Sequence, residues 1–387
     1  MKKFGKFLGM RNDVPAEKFT EKDLAATLNV DLDDEGTLSS RDGTRTILPG
    51  QAHSVTSYGD RLIGVVDQDL CEVFDDGSSV VLAPGAIVGS KLSAVEVEGA
   101  LYWTDGVITG VLRGMTVETW GLDTPKQAVL SEVSGSLREG TYLVSSVAVR
   151  GVEESGAAPY AAITVAANAG IQVELPVVAA DYLDLYISDT SGAVPYFYGR
   201  YSPSGGTEII TEPVVTSRAV PNLRMGPAPY GSKVFYFAGR IWVVRDRFLL
   251  FSQPYQYGLF DKANGYATMP ARVRMAVPVD DGIFIATDSR TYFLAGRDPA
   301  TASFNEVANY GAVAWSDSVV DSSMVGKEGV SGTAVMWATN NGVCLGTNGG
   351  NLKNVTGSRY VPKQGRIGAA VFKKTQTASQ FAVSIFT

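Results

Sequence analysis

The chain has 387 residues, more than one hydrophobic core holds, since single cores stop growing at roughly 250 to 300 residues, so two units are expected. With 45% hydrophobic and 19% charged residues, it carries enough apolar surface to offset chain entropy, which excludes disorder as the default state. A formal net charge of -7 and a pI near 5.0 count against a protein that grips nucleic acid by counterion release, which needs clustered Lys and Arg, though DNA can slide past such a surface.

Gly is frequent at 42 residues, Tyr and Phe contribute 17 and 16, and Val, Thr and Ser recur throughout, a mixture that favours pleated strands and tight turns. All-β is the leading class. The opening MKKFGKFLGMRNDVP has the positive beginning of a signal peptide without an adequate apolar region behind it, and no window approaches the ~18 apolar residues of a membrane span. The expectation is a soluble chain folded in the cytoplasm. Helical patterning is confined to Ala16 to Leu28, "AEKFTEKDLAATL", where Pro15 suits a first turn, and one short helix is predicted there.

Next comes "NVDLDDEGTLSSRDG", residues 29 to 43. Asp31, Asp33, Glu35 and Gly36 approximate the opening of a calcium loop, with Asp42 where the twelfth ligand would stand. The following "TLSSRDGTRTIL" is β-rich rather than helical, and Asp42 is short for a bidentate ligand. The favoured reading is therefore a hairpin: Val30 and Leu32 close one strand, Asp34-Glu35-Gly36 makes the turn with Gly at positive φ, and Leu38 begins the return.

Four segments then read as repeated antiparallel meanders, at 54 to 74, 92 to 112, 232 to 252 and 273 to 296. Each runs apolar strand, turn, apolar strand, polar turn, strand, with turns at Tyr58-Gly59-Asp60, Glu98-Gly99, Ala238-Gly239 and Asp281-Gly282. A weaker fifth copy spans 319 to 356, and "GAAVFKKTQTASQFAVSIF" adds a C-terminal hairpin. Such meanders cannot bury both faces alone. A β-propeller of about six blades is the natural closed form, its sixth blade combining the C-terminal hairpin with N-terminal strands near Asn29 to Leu48.

Residues 121 to 222 have another character. Tyr142, Val144, Ser146, Ala148 and Arg150 alternate with Leu143, Ser145, Val147 and Val149, short strands follow, and Pro-bearing flanks read as linkers. An inserted fibronectin-like β-sandwich is predicted. The expected division is 1-120 for the N-terminal arm and first blades, 121-222 for the sandwich, and 223-387 for the remaining blades and ring closure.

Chemistry is sparse. Cys71 and Cys344 lie far apart in apolar stretches and read as reduced core thiols. His53 is the lone histidine, read as a surface or turn residue, so no His-containing triad or multi-histidine metal site stands without it. "GTNGG" at 346 to 350 lacks the lysine and the strand-to-helix setting of a phosphate loop. Asp75-Asp76, Glu153-Glu154 and Asp280-Asp281 sit in connections where charge is easily solvated. No cofactor, metal or enzyme activity is expected. Tyr255, Tyr257, Phe260 and Tyr266, within "FSQPYQYGLFDKANGY", either fold back onto a blade, which is slightly favoured, or form a patch for a neighbouring subunit or a sugar. The five tryptophans, Trp103, Trp120, Trp242, Trp315 and Trp337, read mostly as core.

The N-terminal "FGKFLGMRNDVP…LAATLNVDLDDEGTLSSRDG", with "GTYLVSSVAVRGVEESG", "FSQPYQYGLFD" and "PVDDGIFIATDSRTYFLAG", resembles the β-propeller tail proteins of short-tailed bacteriophages, the nozzle or packaged-DNA stabilisation group. The resemblance touches most of the chain, through turn and strand patterns. It implies a virion protein made in the bacterial cytoplasm, forming a homo-oligomeric ring of about six copies below the portal and adaptor. That ring extends the DNA exit channel, meets tail fibre or needle components and helps to retain the genome, double-stranded DNA passing without sequence-specific contact. The chain is shorter than the larger nozzle proteins of that group. The competing reading is a carbohydrate- or receptor-binding tail component.

Overall fold

The structure is a computed structural model that describes residues 6–28, 30–32, 36–40, 46, 48, 51–212, 215, 217–325, 332–357, 359–362, 364–374 and 379–386. It is all-β, built from small antiparallel sheets, with three short 3-10 turns among the described residues. No helix among the described residues is long and apolar enough to cross a membrane.

Five sheets follow one plan, each a meander of four strands in sequence order. Sheet I holds Ala52–Tyr58, Arg61–Val66, Asp69–Val73 and Ser79–Ala83, and sheet II holds Ser93–Val97, Ala100–Thr104, Thr109–Arg113 and Thr116–Glu118. Sheet III holds Lys233–Phe237, Arg240–Arg245, Phe248–Gln253 and Gln256–Asp261, with Met225–Gly226 and Tyr266–Thr268 added at its margin. Sheet IV comprises Met275–Val279, Gly282–Ala286, Thr291–Ala295 and Ser303–Ala308, and sheet V Ser318–Asp321, Thr333–Thr339, Gly342–Thr347 and Asn351–Asn354. Glu98-Gly99 and Ala238-Gly239 join a first strand to a second where the sequence placed them, and Gly59-Asp60 does so with Tyr58 already in the strand. In sheet IV the turn is Asp280-Asp281, one residue before the expected Asp281-Gly282, because Gly282 pairs with Val279.

Period-two alternation explains how the sheets stack. In sheet III, Ile241 and Val243 face sheet II, packing with Val97, Tyr102 and Val111. Their neighbours Trp242 and Val244 face sheet IV, packing with Ala276, Ile283 and Ile285. The opposite face of sheet IV, through Val277, Phe284 and Phe293, meets Val335, Trp337 and Cys344 of sheet V. Sheet II turns Leu101, Trp103 and Leu112 onto Ile63, Val65 and Leu70 of sheet I. Interior sheets are thus apolar on both faces, which is why their central strands read as continuous hydrophobic runs. The first strands also contact one another in succession from sheet I to sheet IV, and that of sheet IV meets Thr333–Thr339 of sheet V.

The C-terminal hairpin pairs Ile367–Lys374 with Ser379–Phe386. Its Phe372 and Phe381 pack on Val320, Ala334, Met336 and Leu345 of sheet V. A second hairpin pairs Val30–Leu32 with Leu38–Ser40, in the register Asp31 opposite Ser39. Gly36 has φ +82, and a Cβ there would stand 2.6 Å from the Phe7 carbonyl oxygen, so both backbone and space require glycine. The two hairpins were expected to merge into one blade. They remain separate two-stranded sheets, linked by Lys373 Nζ to Asp31 Oδ2 at 3.8 Å.

The predicted helix at 16 to 28 is absent apart from a 3-10 turn at Ala16–Lys18. Tertiary bonds outcompete it. Leu8 N–H donates to Lys22 O, Leu24 N–H to Gly9 O and Arg11 N–H to Leu24 O, which draws 22 to 24 into extended pairing with 8 to 11.

Strands from 129 to 210 form a separate two-sheet unit. One sheet orders Val129–Leu137, Ala169–Leu175 and Gly206–Ile210; the other is built on Gly140–Arg150 and Tyr182–Ser188, flanked by Glu153–Glu154, Ala161–Val165 and Pro195–Tyr201. Val144, Leu185 and Ile187 of one meet Ile171, Val173 and Ile210 of the other in a core closed to solvent. Asp184 is fully buried, its charge answered by Arg200 at 2.7 Å and Arg218 at 3.0 Å.

Candidate functional site

A concavity opens where the strand ends of sheets III, IV and V converge, with a volume near 760 Å³. Its floor is set by two hairpin turns. Ala238 (φ +53) and Gly239 (φ +78) form a two-residue turn with both residues left-handed, the geometry that matches strand twist. Asp280-Asp281 makes the corresponding turn of sheet IV.

Tyr255 projects over this floor. Its N–H donates to Gly239 O at 2.8 Å, its φ is +59, and its ring lies against Gly239. A bulky side chain at positive φ is held there by its surroundings. Tyr255 is 72% exposed, and Tyr236, at 37%, adds a second aromatic face. Tyr236 is braced edge-on against Tyr257, with ring centroids 6.1 Å apart.

Two arginines share the cleft. Arg240 donates from Nη1 to Ser252 O at 2.7 Å and lies over the Phe251 ring at 5.4 Å. Burial pushes its pKa down, opposed by the charge of Asp298. Arg297 donates from Nε and Nη2 to the Asp280 carbonyl oxygen at 3.2 and 3.1 Å. The Asp280 carboxylate is occupied elsewhere: the Thr333 hydroxyl and Asn348 amide, followed by Thr333 N–H, hold its pKa down. It is a structural acceptor, not a free proton carrier.

Of the aromatic residues singled out in the sequence, Tyr255 lines the cleft and Tyr266 is a half-exposed neighbour of Phe248, 5.7 Å away. Tyr257 and Phe260 are interior, at 6% and 4% exposure, in a cluster with Tyr102 and Trp120. They fold back onto the sheets and are withdrawn from any surface patch. Tyr257 Oη donates to Glu98 Oε1 at 3.0 Å, and Trp120 Nε1 donates to Tyr257 O at 2.8 Å.

Asp31 faces Lys373 in the N-terminal hairpin; Asp33, Glu35 and Asp42 of the calcium alternative lie outside the described residues. No group of three or more His, Cys, Asp or Glu suited to a metal occurs among the described residues. Cys71 and Cys344 are free and buried. Trp103, Trp120, Trp242 and Trp337 are core residues, while Trp315 is half-buried beneath the Lys91 ammonium at 5.0 Å. His53 lies inside a strand, not in a turn, half-buried and bonded through Nδ1 to Ser54 Oγ at 2.8 Å; burial and Lys91 lower its pKa.

Arg240 and Arg297 escaped the sequence reading. Their signal was present: each closes an Ala-Gly-Arg triplet, at 238 to 240 and 295 to 297.

No family model matches the chain, and no curated protein matches it. Among solved structures it is similar to BBS1N, solved in complex with ARL6DN, at 12% identity over 87% of this chain and 92% of that one, with a TM-score of 0.32. It is also similar to the extracellular domain of BT4673 from B. thetaiotaomicron, at 9% identity over 91% of this chain and 67% of that one, with a TM-score of 0.24. At these scores neither likeness carries an argument about function.

Proposed function

We propose that this chain is a structural protein of a bacteriophage tail, a nozzle-type subunit whose ring continues the DNA exit channel below the portal and adaptor and helps to retain the packaged genome. In this reading sheets I to V and the two terminal hairpins close radially as a β-propeller of about six blades, and the unit spanning 129 to 210 is a fibronectin-like module inserted in it.

The observation that carries the reading is the terminal clasp. The N-terminal arm, which carries part of the phage resemblance, grips the C-terminal segment: Asn12, within the matching stretch, bonds Val361 and Arg359, and Asp23, just before the match resumes at Leu24, pairs with Arg359. Its residues thus have a physical task, which is to hold together the two ends of a linear stack of sheets. Back-to-back burial of successive sheets supports the same closure. Lys91, after sheet I, donates to Gly368 O of the C-terminal hairpin at 3.1 Å and so spans the remaining join.

The net charge of -7 suits a wall past which DNA moves without adhering. Fluorescence anisotropy with a labelled duplex tests this. The reading expects no retention at physiological salt and little salt dependence; nanomolar binding with a steep salt slope describes a clamp and overturns it.

A further inference from the structure

We propose that the cleft between sheets III, IV and V binds a saccharide bearing a carboxylate, with Tyr255 and Tyr236 receiving the sugar faces and Arg240 and Arg297 the acid. This goes beyond the tail reading and does not depend on where in a particle the chain sits.

The charge argument rests on what the arginines leave unused. Arg113, Arg150, Arg200, Arg218, Arg274 and Arg290 are each ion-paired. Arg240 and Arg297 make no ion pair among the described residues; each spends its bonds on one backbone carbonyl oxygen. A guanidinium carries five N–H donors in a planar fork, so both keep donors for an incoming anion. Arg240 is also partly desolvated and fixed on Phe251, which strengthens a carboxylate bond relative to one made in water. Asp298 and Asp280 also line the cleft, and their charges act on Arg240 and Arg297 respectively, but neither carboxylate forms an ion pair with these guanidiniums among the described residues, so the N–H donors themselves are not spent on them.

The aromatic argument concerns orientation. Tyr255 sits at φ +59 with its ring exposed, a conformation that costs of order 1–3 kcal/mol unless the surroundings enforce it. The bond to Gly239 O enforces it. Tyrosine rings of fixed pose offer an apolar face for sugar C–H groups and a hydroxyl for their polar rims, at little loss of side-chain freedom. The cleft volume, near 760 Å³, falls within the ~300–1,000 Å³ of small-molecule sites. Such stacking faces beside the arginines favour a saccharide over a bare phosphate.

The test uses the purified full chain and isothermal titration calorimetry at low ionic strength, with trigalacturonate and its carboxyl-reduced trisaccharide as probes. The acidic probe should bind at least ~10-fold more tightly. Arg240→Gln and Arg297→Gln should erase that preference, and Tyr255→Asn, which tolerates positive φ, should weaken both probes with the melting temperature unchanged. Should Arg240→Gln melt early, the solvent-exposed Arg297→Gln gives the same readout. Equal affinity for the two probes, or no binding of either to folded protein, overturns the proposal. So does binding of inorganic phosphate but not of trigalacturonate.

Discussion

Asn12 and Val361 hold each other reciprocally: Asn12 Nδ2 donates to Val361 O at 2.8 Å, and Val361 N–H donates back to Asn12 Oδ1 at 2.9 Å. One side-chain amide thereby acts as a strand partner for a segment at the other end of the chain, and Asn12 N–H adds a bond to Arg359 O at 2.8 Å. Asn12→Ala removes both side-chain bonds. Since they are exposed, the expected loss is about 1 kcal/mol in urea unfolding, with faster proteolysis of the N-terminal arm. Unchanged proteolysis would mean that the arm is held elsewhere.

The same clasp should respond to acid. Thr20 N–H, with the Thr20 hydroxyl and then Arg11 and Arg359, holds the Asp23 carboxyl at about 2. A group depressed in the folded state adds stability above its unfolded value, about 3.9, and that contribution fades as pH falls toward the folded value. The hydrogen-exchange protection of residues 8 to 24, measured against the intrinsic rate at each pH, should therefore fall between about pH 4 and pH 2. In Asp23→Asn the arm should exchange fast throughout, and an identical pH profile in that variant would exclude Asp23 as the acid-sensitive group.

The buried tryptophans separate packing from hydrogen bonding. Trp337 is fully buried between sheets IV and V, and its Nε1 has no partner. Trp120 Nε1 donates to Tyr257 O. Replacing each with Phe should cost about 1–2 kcal/mol more at 120, where a buried carbonyl loses its donor, than at 337, where an unsatisfied N–H disappears. Chemical denaturation decides it, and equal costs would refute the bonding argument.

Tyr257 and Tyr255 should behave oppositely. Tyr257→Ala empties a core position shared with Tyr102 and Trp120 and should lower stability by roughly 3 kcal/mol or more. Tyr255→Asn removes an exposed ring and should change stability by less than about 0.5 kcal/mol. A large loss at 255 with none at 257 would reverse the assignment of core and surface.

The repeated meanders were legible because the information is local. Glu98-Gly99 and Ala238-Gly239 lie between apolar runs of strand length, and each turn needs only its own residues. The hairpin at Val30 and Leu38 was legible for the same reason. Ala16 to Leu28 misled because good helix formers say nothing of distant partners: Asp23 is claimed by Arg359, and Leu24 by Gly9 and Arg11. Weak helix preference in so short a segment yields to such bonds. The cleft was hidden because Arg240 and Arg297 come from different sheets and meet only after packing, while carboxylates, not unpaired guanidiniums, drew the sequence search.

Cryo-electron microscopy of phage particles containing this chain tests the tail reading most directly. It should show a closed ring of about six copies beneath the portal, each copy a propeller whose N-terminal arm lies on residues 359 to 361, with DNA along the shared axis. Density for the chain at the side of the tail, or an open row of sheets in which the arm leaves Val361 free, would contradict it.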